Sequence, residues 1–200
     1  MKPQSLNSTN VVSFLTDIFQ RRGSEEYLGE PVTMEQHMLQ AAHYAAAEGE
    51  DDIVIVAALL HDIGHFTSEF GSYSPDDTKD RFHETAGAEA LEGLFPSLVI
   101  DCIRYHVAAK RYLCAVDSAY FDKLSAASVH SLSLQGGPMS DAEVEQFKRH
   151  EHLNDIVKVR LYDDAGKNPT LEVKPFSYYR PMVQRVGDQY HRQYASLHPS

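Results

Sequence analysis

Residues 53–60 form an apolar run that ends in His61-Asp62, followed at once by Ile63-Gly64-His65, and no other stretch constrains the fold as strongly. A helix that is apolar on every side belongs in the centre of a protein. Its C-terminal end therefore delivers an imidazole and a carboxylate into the interior, which is costly unless something satisfies them. His37 upstream, His83 and His106 downstream, and Asp163 in a polar turn offer more donors of the same kind. Imidazole and carboxylate suit borderline and hard metals, and the two oxygens of a carboxylate let one Asp bridge two ions. Four His and two Asp exceed the needs of a single ion with open positions. They suit two ions about 3.5–4 Å apart, bridged by Asp62.

The remaining pattern predicts helices joined by short loops. Val12, Leu15, Ile18 and Phe19 repeat at helical spacing and Gly23 follows as a stop. The segment from Ser24 to Pro31, which holds Tyr27-Leu28-Gly29-Glu30, has the Gly and Pro of a loop. Thr33-Met34-Glu35-Gln36 fits a capping box opening a helix that carries His37 and ends near Gly49. Another helix runs from near His83 to Leu94, and one opening at Pro96 carries His106 and Lys110 on one face. Ser140-Asp141-Ala142-Glu143 is a second capping box whose helix leads toward Asp163, and Asp163-Asp164-Ala165-Gly166 reads as a turn. A final helix spans about 178–197. No period-2 strand stands out, so the expected class is all-α.

Two hundred residues with 42% hydrophobic content suit one domain over 1–200, with a core over about 12–180. A net charge of −11 disfavours nucleic acid or an anionic membrane as partner, but not a small anion held in the local field of metal ions. Cys102 and Cys114 are too few for a disulfide scaffold and point to a reducing cytoplasm. The polar N-terminal stretch and the lack of a long apolar run predict neither a signal peptide nor a spanning helix. His43, His130, His150, His152, His191 and His198 read as ordinary core or surface histidines, because a lone His in a helix is rarely a ligand.

The order His…His-Asp…Asp resembles the HD-domain superfamily, whose members are helical bundles best known as metal-dependent phosphohydrolases. His83 and His106 match the dinuclear subset, to which myo-inositol oxygenase belongs. Tyr27-Leu28-Gly29-Glu30, His61 to His65, His106 to Leu113 and Gln135-Gly136-Gly137-Pro138-Met139 are more specific. They look like the HD-domain di-iron oxygenases of phosphonate breakdown, and the likeness runs from about Val12 to Tyr179.

That resemblance implies a buried mixed-valence Fe(II)/Fe(III) pair held by His37, His61, Asp62, His83, His106 and Asp163. It implies O2-dependent cleavage of the C–P bond of a 1-hydroxy-2-(amino or trimethylammonio)ethylphosphonate, giving phosphate and glycine or glycine betaine. Tyr27 would be a resting-state iron ligand that leaves when substrate arrives, and Glu30 would read the cationic nitrogen. His65, Lys110 and Ser128 would contact the phosphonate, and Gln40 and Tyr44 would line the same pocket by helical spacing from His37. A 2-oxoglutarate-dependent hydroxylase would supply the substrate. The alternatives are an HD phosphohydrolase acting on a nucleotide or phosphomonoester, and a degenerate binding module. Tyr27, Glu30 and Lys110 favour the oxygenase, and six intact ligands argue against the binding module.

Overall fold

A computed structural model describes residues 6–27, 29–67, 79–80 and 82–197. Leu28, Arg81, His198 and most of the loop between Thr67 and Arg81 lie outside the described residues. The described residues are helical, as expected, and an isolated antiparallel bridge between Glu26 and Thr33 stands in place of any sheet. No helix among them is long and apolar enough to cross a membrane.

Helix α1 (Val11–Arg22) leads through the bridged loop to α2 (Met34–Ala47) and α3 (Asp52–Leu60). The short α4 (Gly64–Thr67) precedes α5 (His83–Leu91) and the long α6 (Ser97–Val116). Then come α7 (Ser118–Phe121), α8 (Ala126–Leu134), α9 (Asp141–Phe147), α10 (Leu153–Ala165) and α11 (Phe176–Leu197). The short α4, α7 and α8 were not anticipated by periodicity.

Helix α3 is the axis of the bundle. Asp51 caps it by accepting from the amides of Ile53 and Val54, and every side chain from Val54 to Leu60 is buried. Val and Ile are mediocre helix formers. Burial overrides that preference, since each large aliphatic side chain removed from water contributes roughly 1.5–3 kcal/mol. Helices α2, α6, α10 and α11 supply the surround.

Both capping boxes form, at Thr33/Gln36 and Ser140/Glu143. The second opens only the short α9, however, and Asp163 belongs to the separate α10. Asp163, Asp164 and Ala165 are the last turn of that helix, with Gly166 closing it, rather than a polar turn. Arg160, one turn earlier, pairs with both Asp163 and Asp164, so two adjacent acids remain helical without leaving a buried charge unmatched. Helix α5 stops at Leu91 and not Leu94, and α11 starts at Phe176 with Pro181 in its interior. The Gln135–Met139 block is structural. Gly136 and Gly137 take positive φ of 94° and 73°, which glycine adopts without strain. Arg111 of α6 then donates to the Gly137 carbonyl at 2.8 Å while its own carbonyl accepts from Met139.

Helices α4 and α5 meet through bare backbone. A Cβ on Gly64 would stand 1.7 Å from the His83 carbonyl oxygen and 2.8 Å from the Gly87 nitrogen. Gly64→Ala therefore has to push the start of α5, and His83 with it, away from α3. Such overpacking is expected to cost about 1–3 kcal/mol, read as a lower unfolding midpoint in urea. A midpoint equal to wild type would show that α5 absorbs the methyl group.

Candidate metal centre and its cavity

Asp62 follows directly on the buried axis. His61 is the C-cap of α3, and hydrogen bonds from the Ile63 amide to the Leu60 carbonyl and from the His65 amide to the Asp62 carbonyl turn the chain into α4. That turn aims the Asp62 carboxylate at four imidazoles from different elements. Its Oδ2 lies 3.2 Å from His37 Nε2 of α2 and 3.5 Å from His61 Nε2. Its Oδ1 lies 3.2 Å from both His83 Nε2 of α5 and His106 Nε2 of α6. Two donor sets result, His37/His61/Asp62 and Asp62/His83/His106. Asp163 adds to the first, with Oδ1 3.5 Å from His37 Nε2. All six residues are buried.

The ring nitrogens decide what such a cluster can hold. His37 Nδ1 faces the Gly166 carbonyl at 2.9 Å, His61 Nδ1 that of Ala58 at 2.7 Å, and His106 Nδ1 that of Ile103 at 2.8 Å. A carbonyl only accepts, so each Nδ1 carries the proton and each Nε2 presents a lone pair. Yet His37 Nε2 and His61 Nε2 are 3.0 Å apart, as are His83 Nε2 and His106 Nε2. The first pair sets lone pair against lone pair, and these repel unless a cation sits between them. A proton is one solution: burial opposes it, but the Asp62 carboxylate outweighs burial and raises the His61 pKa to about 9. A metal ion is the other, and it would also satisfy Asp62 Oδ2 and Asp163 Oδ1, which are buried without a hydrogen bond among the described residues. The donor set fits two ions sharing one carboxylate.

Beyond the ligands, anchors hold them in place. Arg160 Nη1 binds Asp163 Oδ2 at 2.7 Å, which leaves Oδ1 for the centre. Arg160 also donates to Tyr120 and Asp164. His83 has Glu84 Oε2 3.5 Å from its Nδ1. Gly166 lets the end of α10 approach, since a Cβ there would come within 2.9 Å of the His37 carbonyl oxygen.

A cavity opens beside the Asp62/His83/His106 set, and Tyr27, Glu30, His65, Lys110 and Ser128 all line it. Tyr27 stacks on His37 with ring centres 3.8 Å apart. Burial, then the Asp62 and Asp163 carboxylates, push its phenol pKa well up. His65 stacks on His83 at 4.1 Å, and neither of its ring nitrogens has a hydrogen bond among the described residues. Burial and the neighbouring His83 keep it neutral. Lys110 donates to Ser131 Oγ at 2.8 Å, and burial followed by the Arg160 charge draws its pKa down to about 7. Ser125 caps α8 by accepting from the Ser128 amide, so the positive end of that helix faces the cavity. Glu30 accepts from Ser125 Oγ at 2.5 Å and lies 3.3 Å from Lys167 Nζ.

Two expected lining residues are elsewhere. Gln40 is buried but clasps the Asn168 backbone in both directions, at 2.8 and 3.0 Å. Tyr44 lines a separate cleft with Glu48, Lys158 and Tyr162. Helical spacing put both near His37 but could not say which way each faces. Conversely, Arg160, Lys167, Ser125 and Ser131 were missed. Arg160 left a signal in the sequence, since it precedes Asp163 and Asp164 by one turn. Lys167 left none. Of the histidines read as ordinary, His150 and His152 lie 3.9 Å from Asp101, away from the centre.

Comparison with known proteins agrees with this centre. Residues 34–127 match the HD domain model, a span that includes His37, His61, Asp62, His83 and His106. The chain is 58% identical to a glycine-betaine-forming (1-hydroxy-2-(trimethylamino)ethyl)phosphonate dioxygenase from Leisingera caerulea, over 92% of this chain and 94% of the relative. It is 41% identical to a hydroxymethylphosphonate dioxygenase from Gimesia maris (strain ATCC 29201 / DSM 8797 / 534-30), over 86% of each. An uncharacterized protein of Acanthamoeba polyphaga mimivirus is 34% identical over 86% of this chain and 80% of its own length. The chain belongs to the HD-domain family, among its phosphonate dioxygenases.

Proposed function

We propose that this protein is an iron-dependent oxygenase that uses O2 to cleave the C–P bond of 1-hydroxy-2-(trimethylammonio)ethylphosphonate. The observation that carries the reading is one carboxylate, Asp62, giving one oxygen to each of two imidazole pairs beside a cavity lined by Lys110, Ser128 and Glu30. One set is two His and one carboxylate and the other adds Asp163, donors of the type that non-heme iron oxygenases use. The trimethylammonio substrate comes from the name of the Leisingera caerulea relative. The reaction balances without a reductant: substrate plus O2 equals glycine betaine plus phosphate, with both oxygen atoms of O2 entering the products.

Two irons held by His37, His61, Asp62, His83, His106 and Asp163 would supply dioxygen activation and Lewis-acid binding of the substrate oxygens. The chain's own residues do the rest. Lys110 gives a point charge to the phosphonate, and Ser128 and neutral His65 offer donors to its oxygens. Tyr27, stacked on His37, would be a resting-state ligand of the iron, one that the substrate replaces. Glu30 attracts the cationic nitrogen. A single HD domain in the cytoplasm, fed by a 2-oxoglutarate-dependent hydroxylase that installs the 1-hydroxyl, completes the proposal.

Iron-loaded protein is expected to release phosphate from this substrate in air and not under argon. Anaerobic release, or full activity with zinc, would overturn the oxygenase in favour of hydrolytic chemistry. Metal analysis should find close to two irons per chain, and Asp62→Ala should lose both, because among the described residues no other group reaches both imidazole pairs. Lys110→Ala removes a charge-assisted contact worth roughly 1.5–3 kcal/mol, so substrate affinity should fall about ten- to a hundredfold. Its iron content should stay at the wild-type level; loss of iron would mean that Lys110 supports the centre rather than the ligand.

A further inference from the structure

Glu30 and Ser128, given above to opposite ends of the substrate, meet on a side chain that has no part in that account. Lys167 Nζ donates to Ser128 Oγ at 2.8 Å and stands 3.3 Å from Glu30 Oε1. Ser125 Oγ donates to the same Glu30 oxygen at 2.5 Å and lies 3.4 Å from the ammonium. Both charged side chains line the cavity, and they are only 13% and 10% exposed. Glu30 is thus not a bare carboxylate waiting for a cation. Its charge is already matched from within. A ligand cation approaching the closed pair would gain little from Glu30 and would be repelled by Lys167.

Resting on the reading of this cavity as a hydroxyphosphonate site, we infer that Lys167 is a specificity-determining residue that competes with the ligand's cation for Glu30. A ligand with a cationic nitrogen takes Glu30, and the displaced ammonium pivots on Ser128 to the phosphonate oxygens. One internal ion pair becomes two ion pairs with the ligand, and no covalent bond changes. A phosphonate without nitrogen leaves the Glu30–Lys167 pair closed. Ser125 makes the exchange compatible with a quaternary nitrogen. Trimethylammonium has no N–H to give and so offers Glu30 charge alone, but the Ser125 hydroxyl remains as its hydrogen-bond donor.

The test is anaerobic calorimetry on the iron-loaded protein with 1-hydroxy-2-(trimethylammonio)ethylphosphonate and with hydroxymethylphosphonate. Lys167→Gln keeps a donor for Ser128 and removes the charge. It bares Glu30 toward the purely anionic ligand, which should bind about a hundredfold more weakly, whereas the zwitterion should lose about tenfold or less. The ratio of the two affinities should move about tenfold toward the zwitterion. In a Glu30→Gln background, Lys167→Gln should weaken both ligands by the same factor. Equal weakening in the native background would make Lys167 a simple phosphonate contact, and no change in either ligand would make it a bystander; both results overturn the inference. Should Lys167→Gln fail to fold, Glu30→Gln alone decides. It should weaken the zwitterion and tighten hydroxymethylphosphonate, because the ammonium released from Glu30 then reaches the phosphonate; unchanged or weaker binding of hydroxymethylphosphonate overturns the inference. Wild-type protein that binds neither compound would overturn the functional reading and this one together. Wild-type binding of both with an unmoved ratio overturns only the role of Lys167.

Discussion

The division of one carboxylate between two imidazole pairs is the constraint on which the rest of this structure depends. Asp62 can serve both pairs only because it sits at the very end of a buried helix, where the chain turns and both oxygens are free of backbone duties. The four imidazoles come from α2, the end of α3, the start of α5 and the middle of α6, so the bundle must close around the carboxylate from all sides. Three of them are anchored through Nδ1 on carbonyl groups, which fixes the lone pairs inward. The His37/His61 half of the centre is then repulsive without a cation. Metal binding and folding are linked for that reason: ions that remove the repulsion bind the native arrangement and not the unfolded chain.

Closing helices onto one carboxylate demands unusually short backbone approaches, and glycine supplies them. Gly64 and Gly87 bring α4 and α5 together so that His83 reaches Asp62. Gly166 brings the end of α10 against His37, offers it a carbonyl acceptor, and places Asp163 beside the same imidazole. A side chain at either place would clash with the backbone of a residue that faces the centre, His83 or His37. These glycines act on packing, and neither Gly64 nor Gly166 has positive φ.

Legibility in the sequence followed the physics of each element. The apolar run 53–60 has no solvent face, so its burial and the inward delivery of His61-Asp62 could be read directly. Capping boxes are local hydrogen-bond patterns, and both formed as written. The metal donors were readable because their residue types are costly to bury for any other purpose. Helical phase was not readable from spacing alone, which is why Gln40 turned to Asn168 and Tyr44 to an outer cleft. Asp163 was placed in a turn because a pair of acids looks solvated; what reverses this is Arg160, one helical turn earlier and buried beside them. Lys167 was invisible for a different reason. Its partner Glu30 is distant in the chain, and a lysine after a helix end carries no local signature of an ion pair.

Net charge and local field point in opposite directions here, and the difference governs what the cavity attracts. The chain carries −11 overall, yet the lining contains Lys110, Arg160 and Lys167 together with the positive end of α8. Surface carboxylates more than a Debye length away, about 8 Å at physiological ionic strength, are largely screened. The buried groups are not screened, because little water separates them. Arg160 is committed to Asp163 and Asp164, and Lys167 to Glu30, which leaves Lys110, hydrogen-bonded to the neutral Ser131, as the lining cation without an ion-pair partner among the described residues. Its pKa of about 7 measures that situation: burial strips it of water and Arg160 repels it. An anion entering the cavity reverses both effects by providing the missing counter-charge. The favourable energy is therefore concentrated where an anionic oxygen would meet Lys110, and the acidic exterior sets little more than the rate of arrival.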